Sequence, residues 1–287
     1  MNAITLGFIF ALLGFGIFIS FKILNFTDLT AEASFTCGAA ISVIITQLGF
    51  PILAIFLGAL GGAFAGAITA LLHTKLKIEK VLSGILTLTA FYTVNLLITD
   101  FKPNINLPKS AIGIFPTENP WLCLAIAASI TVVVGLLIVF FFKTKPGMAV
   151  RATGDNEAMV STLGLNTDNY KIIGLALSNA VVAASGALFM QYERYYDSTF
   201  GTGMMVVGVV TIIIGGAFVH KRHYTSLMLT GITFGSIAYR FLYMGVLYFT
   251  NRPQYMKLIS AVAIVIFILI SYIPLPKREA KKKEAKA

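Results

Sequence analysis

The sequence predicts an all-α polytopic membrane protein, and three observations carry that prediction. Mean hydropathy is +0.85, with 57% of residues hydrophobic and 12% charged, whereas a soluble domain of this length carries about twice that charge. Several apolar runs reach roughly 17 residues or more, and about 20 helical residues cross about 30 Å of hydrocarbon. The net charge of +10 falls mostly in loops on one side, as the positive-inside rule requires, so it is no nucleic-acid footprint. The expected span count is about nine, within about eight to ten. A single transmembrane domain is expected over residues 1–275, followed by a basic tail, 276–287, read as a disordered cytoplasmic end.

In chain order, segment one runs from about Ile4 to Phe21 and ends at a polar break, Lys22 to Ala33. Segments two and three, Ser34 to Phe50 and Pro51 to Leu72, follow. The basic loop His73 to Lys80 leads into segment four, about Val81 to Ile98. Thr99 to Pro120 contains Pro103, Pro108, Pro116 and Pro120, which suits an irregular external cap rather than a helix. Segment five is Trp121 to Phe142, and segment six, Lys171 to Tyr192, lies beyond a long polar passage. A polar, aromatic turn, Glu193 to Gly203, precedes segment seven, Met204 to Val219. The basic turn at 220–223 precedes segment eight, Tyr224 to Phe249, and segment nine is Met256 to Tyr272. Segments one and two are short, and either could be re-entrant or broken.

With the tail inside, Lys22, Lys75, Lys77, Lys80, Lys143, Lys145, Arg151, Lys171, Lys221 and Arg222 all fall inside. Lys102, Lys109, Arg194, Arg252 and Lys257 fall outside, with the amino terminus. Met1 is followed almost at once by apolar sequence without a basic leader or small-residue cleavage site, so the first span is expected to act as its own insertion signal.

Gly58, Gly62 and Gly66 mark one face of segment three. Such a stripe lets helix backbones approach closely in lipid, either inside a bundle or at a dimer seam. Gly215 to Phe218 echoes Gly61 to Phe64, too short a match to establish a repeat. Cys37 and Cys123 have no partner spacing, so neither a metal nor a disulfide is indicated. His73, His220 and His223 have no metal-ligand spacing and read as solvated loop residues at the cytosolic edge.

The passage Lys143 to Tyr170 is the one long polar stretch with a pattern of its own. Gly154-Asp155-Asn156 supplies a helix start, with Asp155 or Asn156 able to accept from free N–H groups. Glu157 sits where the helix dipole favours an anion. Ala158, Met159, Thr162 and Leu163 form a small apolar stripe at helical spacing. Gly164 ends the helix in a left-handed conformation, and Asn166-Thr167-Asp168 starts the next. A short amphipathic helix between two spans offers a knob for another protein to grip.

The residues Arg151 to Ala158, with Leu163-Gly164-Leu165, resemble the cytoplasmic coupling loop of permeases in bacterial ABC importers, in the group of branched-chain amino-acid and simple-sugar permeases. Leu175 to Leu188 is similar to that group's next span. Ile23 to Thr30 and Leu86 to Leu96 resemble, more narrowly, the permeases linked to tryptophan and tyrosine uptake. Two departures put the substrate in doubt: Ala33 stands where glycine is expected, and Gly216 where an acid is frequent.

Polar residues in or near spans are candidates for the translocation path. Asn25 and Asp28 can bond free backbone groups where a helix breaks, and Asp28 could equally be a cap at the cytosolic interface. Asn95 and Asn179 could line a path or bridge helices. Arg240 could meet a substrate carboxylate, pair with Glu193 or snorkel outward. Tyr92, Tyr239 and Tyr243 could line an aromatic route or form an interfacial belt.

No GxxxxGK[ST] phosphate loop, HExxH, GxSxG triad or paired intramembrane carboxylates occur, so enzyme action and self-contained ATP hydrolysis are not expected. The resemblance implies a multi-pass permease in the bacterial cytoplasmic membrane with a cytoplasmic carboxyl terminus. It implies a second permease copy, two cytoplasmic ATP-binding subunits and an external substrate-binding protein. It implies no cofactor in this chain, with ATP and Mg bound by the partner ATPase, and a cargo that is an amino acid, aromatic by resemblance. Glu157→Lys or Gly154→Pro would then uncouple ATP hydrolysis from uptake while leaving membrane insertion intact. The alternative is an ATPase-independent secondary transporter or facilitator.

Overall fold

Apolar runs become helices here because, without water, each backbone N–H and C=O must find a partner within its own segment. In the computed structural model the described residues are 1–108, 111–116, 119–219 and 225–250, without the side chains of 218 and 246–250. Helix α1 (Asn2–Ile17) continues through a π-helical run, Phe18–Ile23. After it come α2 (Thr30–Gln47), α3 (Pro51–Thr74) and α4 (Lys80–Ile98). The short strand β1 (Asn104–Asn106) leads to α5 (Pro120–Lys143), α6 (Lys145–Asp155) and α7 (Glu157–Thr162). The long α8 (Thr167–Glu193), strand β2 (Tyr195–Asp197), α9 (Met204–Phe218) and α10 (Thr225–Thr250) complete the order. Pro51 and Pro120 open their helices at a position where the missing N–H costs nothing.

Five described helices are long and apolar enough to cross a membrane: Asn2–Ile23, Pro51–Thr74, Lys80–Ile98, Pro120–Lys143 and Thr167–Glu193. These are segments one, three, four, five and six. Segment one is therefore continuous and not broken. Segment two is α2, which starts inside the expected polar break. It is less apolar because it is walled in by neighbouring helices rather than by lipid: Phe35, Ala39, Ala40 and Val43 are fully buried. Segment seven is α9, whose 15 residues span only about 22 Å. Segment nine, the 220–223 turn with His220 and His223, and the tail lie outside the described residues.

Helix α1 is hydrophobic all round and nearly all buried, the mark of a central helix. Hydroxyls tie its neighbours to its carbonyl oxygens. Ser178 donates to Gly16, Ser185 to Ile9 and Ser236 to Gly7, each at 2.7 Å, and Thr131 donates to Phe8 at 2.9 Å. Helix α3 lies on α8 through the glycine stripe: a Cβ on Gly62 would strike the Asn179 carbonyl and Ala183, and one on Gly66 the Leu175 carbonyl. The stripe is thus a helix crossing inside the bundle.

One feature departs from an all-α chain. β1 pairs antiparallel with β2 in the register Asn104↔Asp197, Ile105↔Tyr196 and Asn106↔Tyr195. Tyr196 is fully buried against Ala39, Ala40, Val43 and Leu107. The expected irregular cap is therefore anchored by a ribbon, which marks one end of the molecule, the ribbon end. The opposite end carries α6 and α7.

Candidate coupling knob and translocation path

The knob is built differently from its sequence reading. Gly154 and Asp155 do not start the short helix; they close α6, which the sequence did not announce. Gly154 is there for space: a Cβ would run into the Ile23 carbonyl oxygen at the end of the π-helical run. Asn156 alone is the cap of α7, its Oδ1 accepting from the Met159 N–H at 3.0 Å. Gly164 ends the passage at φ +74°, and Asn166 caps α8 through the Asp168 N–H. Within α7 only Val160 is buried. Met159 and Leu163 are 60% and 66% exposed, and Arg151, Asp155, Glu157 and Ala158 also lie on the surface. The apolar stripe thus faces away from the protein.

An ion pair braces this knob against α8. The Lys171 ammonium donates to Glu157 Oε1, and the Thr167 hydroxyl donates to the same oxygen at 3.3 Å. Burial raises the Glu157 pKa, but hydrogen bonds and charge from Lys171, the Thr167 hydroxyl and the Lys80 charge outweigh it, so the carboxyl is held below its ordinary value. Lys75 at the end of α3 reaches Asp168 at 3.9 Å. His73 is not a free loop residue: its Nδ1 lies 2.7 Å from the Ile78 carbonyl oxygen and its ring meets Phe26 edge-on.

The path candidates separate into four environments. Asn25 is an exposed turn residue at φ +51° whose carbonyl accepts from the Lys80 ammonium, so it is away from any interior route. Asp28 does cap the first N–H of α2, but from a buried position rather than from an exposed interface. Its chain turns back into the bundle, where Oδ1 accepts from the Thr30 N–H at 2.9 Å and Oδ2 from Asn179 Nδ2 at 2.6 Å. Asn179 in turn accepts from the Ser34 hydroxyl at 2.7 Å. Asp28 and Asn179 are therefore a buried clamp joining the start of α2 to the middle of α8. Arg240 lies with its guanidinium 3.6 Å from the Phe10 ring centroid and 5.1 Å from that of Tyr243. The close ion pairs among the described residues are Lys75–Asp168, Lys102–Asp100 and Lys171–Glu157. Arg240 thus lies on ring faces and is attracted by the Glu193 charge without a close ion pair to it.

The fourth environment is a polar notch. Tyr92 and Asn95 of α4 line it with Glu32, Ala33 and Thr36 of α2 and Ser198, Gly201 and Thr202 of the connection before α9. That connection dips from the ribbon end to meet α2: Gly201 N–H donates to Thr36 Oγ1 at 2.9 Å, and Gly203 N–H to Glu32 Oε1 at 3.0 Å. Asn95 Nδ2 donates to the Ala33 carbonyl oxygen at 3.2 Å, while its buried Oδ1 has no partner among the described residues. Glu32 was missed in the sequence because it falls within the apparent polar break. The signal was there: an acid four residues beyond Asp28, at the start of a helix bounded by spans. A larger cavity of about 560 Å³ between α2, α3 and α4 is lined by Cys37, Gly61, Phe64 and Phe91, among other apolar groups, and suits hydrocarbon.

Residues 1–269 match the family described as branched-chain amino acid transport system, permease component. The chain is 34% identical over 269 residues to the tyrosine transport system permease protein of Clostridioides difficile (strain R20291), covering 93% of this chain and 90% of that one. It is 30% identical over 269 residues to the uncharacterized protein RP368 of Rickettsia prowazekii (strain Madrid E), covering 92% of each. Among solved structures it resembles PsaBC from Streptococcus pneumoniae in complex with Fab, with a TM-score of 0.55, 18% identity, and coverage of 99% of this chain and 92% of that chain; that likeness speaks to the fold alone. With a family match across nearly its full length, apolar membrane-spanning helices and relatives named as transport permeases, the chain belongs to the branched-chain amino acid transport system permease family.

Proposed function

We propose that this permease is the membrane subunit of an ATP-driven importer for an amino acid, and that the cargo is aromatic, with L-tyrosine as the first substrate to try. The observation that carries the reading is the knob: an apolar pair, Met159 and Leu163, held out into solvent on a short helix that is itself pinned by Glu157 and Lys171. Exposed apolar side chains on a braced helix mark a protein contact. In this reading two copies of the chain form the path, an external binding protein delivers the cargo, and each knob sits in a cytoplasmic ATPase that binds ATP and Mg. Closure of the ATPases moves the knobs, and because α7 is tied to α8 the movement passes into the bundle as a rigid-body shift. The substrate class follows from the name of the Clostridioides difficile relative.

Met159→Asp combined with Leu163→Asp tests this. Both side chains are exposed, so folding and membrane insertion are expected to be unchanged. ATP-dependent L-tyrosine uptake in vesicles is expected to fall by about a hundredfold or more, corresponding to about 3 kcal/mol of lost docking, and the ATPase no longer co-purifies. Undiminished uptake, or uptake driven by an ion gradient without any ATPase, overturns the reading and favours a secondary transporter. Gly154→Pro is not a clean probe of coupling, because it would also break α6 against Ile23.

A further inference from the structure

Opposite charges set close together in a partly dry site normally close into a pair. Arg240 and Glu193 do not. The Arg240 side chain is buried, with the residue 7% exposed, and it is attracted by the Glu193 carboxylate. Yet the two are absent from the close ion pairs among the described residues. Arg194, next to Glu193 in the chain, is turned elsewhere: its Nη2 donates to the Pro108 and Ala111 carbonyl oxygens.

Aromatic rings hold the guanidinium where it is. Its carbon lies 3.6 Å from the Phe10 ring centroid and 5.1 Å from that of Tyr243, a favourable setting for a cation. A guanidinium resting on rings keeps its N–H groups, which point outward in its own plane, free for the fork of a carboxylate. The buried Nε of Arg240 has no hydrogen-bond partner among the described residues. A donor out of water without an acceptor is unfavourable, and a bound carboxylate would supply the acceptor.

Two tyrosines complete the cluster. Tyr243 stands three residues beyond Arg240, on the same face of α10. Tyr195, at the start of β2, interacts electrostatically with both Glu193 and Tyr243. Its ring meets Phe200 edge-on at 4.9 Å and stays 40% exposed. Glu193 is exposed as well. The cluster thus has an open rim at the ribbon end, Glu193 and Tyr195, and a buried floor, Arg240. A free amino acid presents the matching set: a carboxylate for paired N–H donors, an ammonium for a carboxylate that only accepts, and, when aromatic, a ring that packs well against other rings.

We infer that the space between Arg240 and Glu193 seats the zwitterionic head of the transported amino acid. Arg240 takes the carboxylate, Glu193 takes the ammonium, and Tyr195 and Tyr243 flank the side chain. The inference rests on the amino-acid reading above and adds the residues that receive the cargo at the ribbon end.

The test puts a reporter thiol beside the seat. Met244→Cys is made in a chain carrying Cys37→Ala and Cys123→Ala, within the assembled transporter and without the external binding protein. Met244 is 38% exposed and lies four residues beyond Arg240, on the same helix face. Methyl methanethiosulfonate, small and uncharged, reads its accessibility. L-Tyrosine is expected to slow the reaction by roughly fivefold or more, and tyramine or 3-(4-hydroxyphenyl)propionate, each lacking one charge, to need about tenfold higher concentration. Arg240→Gln and Glu193→Gln are each expected to abolish the protection. No reaction at the thiol, equal protection by all three compounds, or protection that survives both substitutions overturns the inference. In uptake, each single variant is expected to raise the KM by roughly tenfold with basal ATP hydrolysis retained, and the double variant to be worse than either. A double variant restored to the wild-type KM would show that the two charges serve only each other, and also overturns the inference. If L-tyrosine gives no protection but another zwitterionic amino acid does, with the same dependence on both charges, the inference stands and the aromatic assignment falls. If protection keeps that dependence while uptake needs no ATP, the inference stands and the ATP-driven reading falls.

Discussion

Glu157 joins two demands at one oxygen, a brace for the knob and a place on the surface. Its carboxylate is about half exposed while the Lys171 side chain is nearly buried, so solvent screens much of the pairing and its contribution stays below about 1 kcal/mol. The carboxyl is held below its ordinary value chiefly by Lys171, against the effect of burial. Its stabilisation is therefore complete above the unfolded glutamate value of about 4.3 and is lost as pH falls through the lower folded value. Glu157→Gln is expected to speed amide exchange across 157–163 by up to about fivefold at neutral pH. The gap between variant and wild type should begin to narrow as pH falls below the unfolded value and close once it passes the lower folded one. Equal exchange at pH 7 would mean that α7 is held by the Asn156 cap and Val160 without help from Glu157. Asp28 shows the opposite arrangement: both of its oxygens are taken by interior donors. Chemistry alone marked Asp28 as able to bond free N–H groups. That its partner is Asn179, far along the chain, was not legible, because the contact exists only once α2 and α8 are side by side.

At the scale of elements, the α3–α8 crossing was the most readable feature. Glycines every fourth residue put one smooth stripe on a helix, and that pattern is local. What the stripe would face was not local, and both bundle and dimer seam were open. Gly62→Ala tests the answer: its Cβ meets backbone at Asn179 and the Ala183 side chain, neither of which can rotate away. Overpacking of this kind costs about 1–3 kcal/mol. A fall of several degrees in the detergent-solubilised midpoint is expected, while Gly135→Ala, with only ordinary contacts to the Phe15 ring, stays near wild type. A wild-type midpoint for Gly62→Ala would show that the two helices are not in contact. Helix α6 escaped sequence reading for an instructive reason. Pro146-Gly147 reads as a breaker, yet Pro sits in the first turn, where it is tolerated, and Gly147 is needed where α6 folds back on the Phe141 carbonyl. The β1–β2 ribbon was equally hidden, since its two strands of three residues are far apart in sequence and neither has a strand pattern of its own.

Across the whole molecule, composition and run length specified a helical membrane protein, and the comparison family agrees. Depth was the poorly legible quantity. Hydropathy treats polar residues as loop, so the start of α2 with Glu32 was assigned to a break although it lies within the bundle, while α9 was counted as a span although it is short. Orientation rests on charge. Among the described residues, Lys22, Lys75, Lys77, Lys80, Lys143, Lys145, Arg151 and Lys171 belong to the end with α6 and α7, against Lys102 and Arg194 at the ribbon end. By the positive-inside rule that asymmetry supports the proposal that the knob end faces the cytoplasm, the side on which the proposed ATPase would act. Single cysteines at Lys102 and Ser161, in a chain lacking Cys37 and Cys123, check this with a membrane-impermeant maleimide on intact cells. Both positions are exposed. Lys102→Cys is expected to label from outside, and Ser161→Cys only after the membrane is opened. The reverse pattern would put Met159 and Leu163 on the external face, out of reach of any nucleotide-driven partner, and the coupling role of the knob would fall with it.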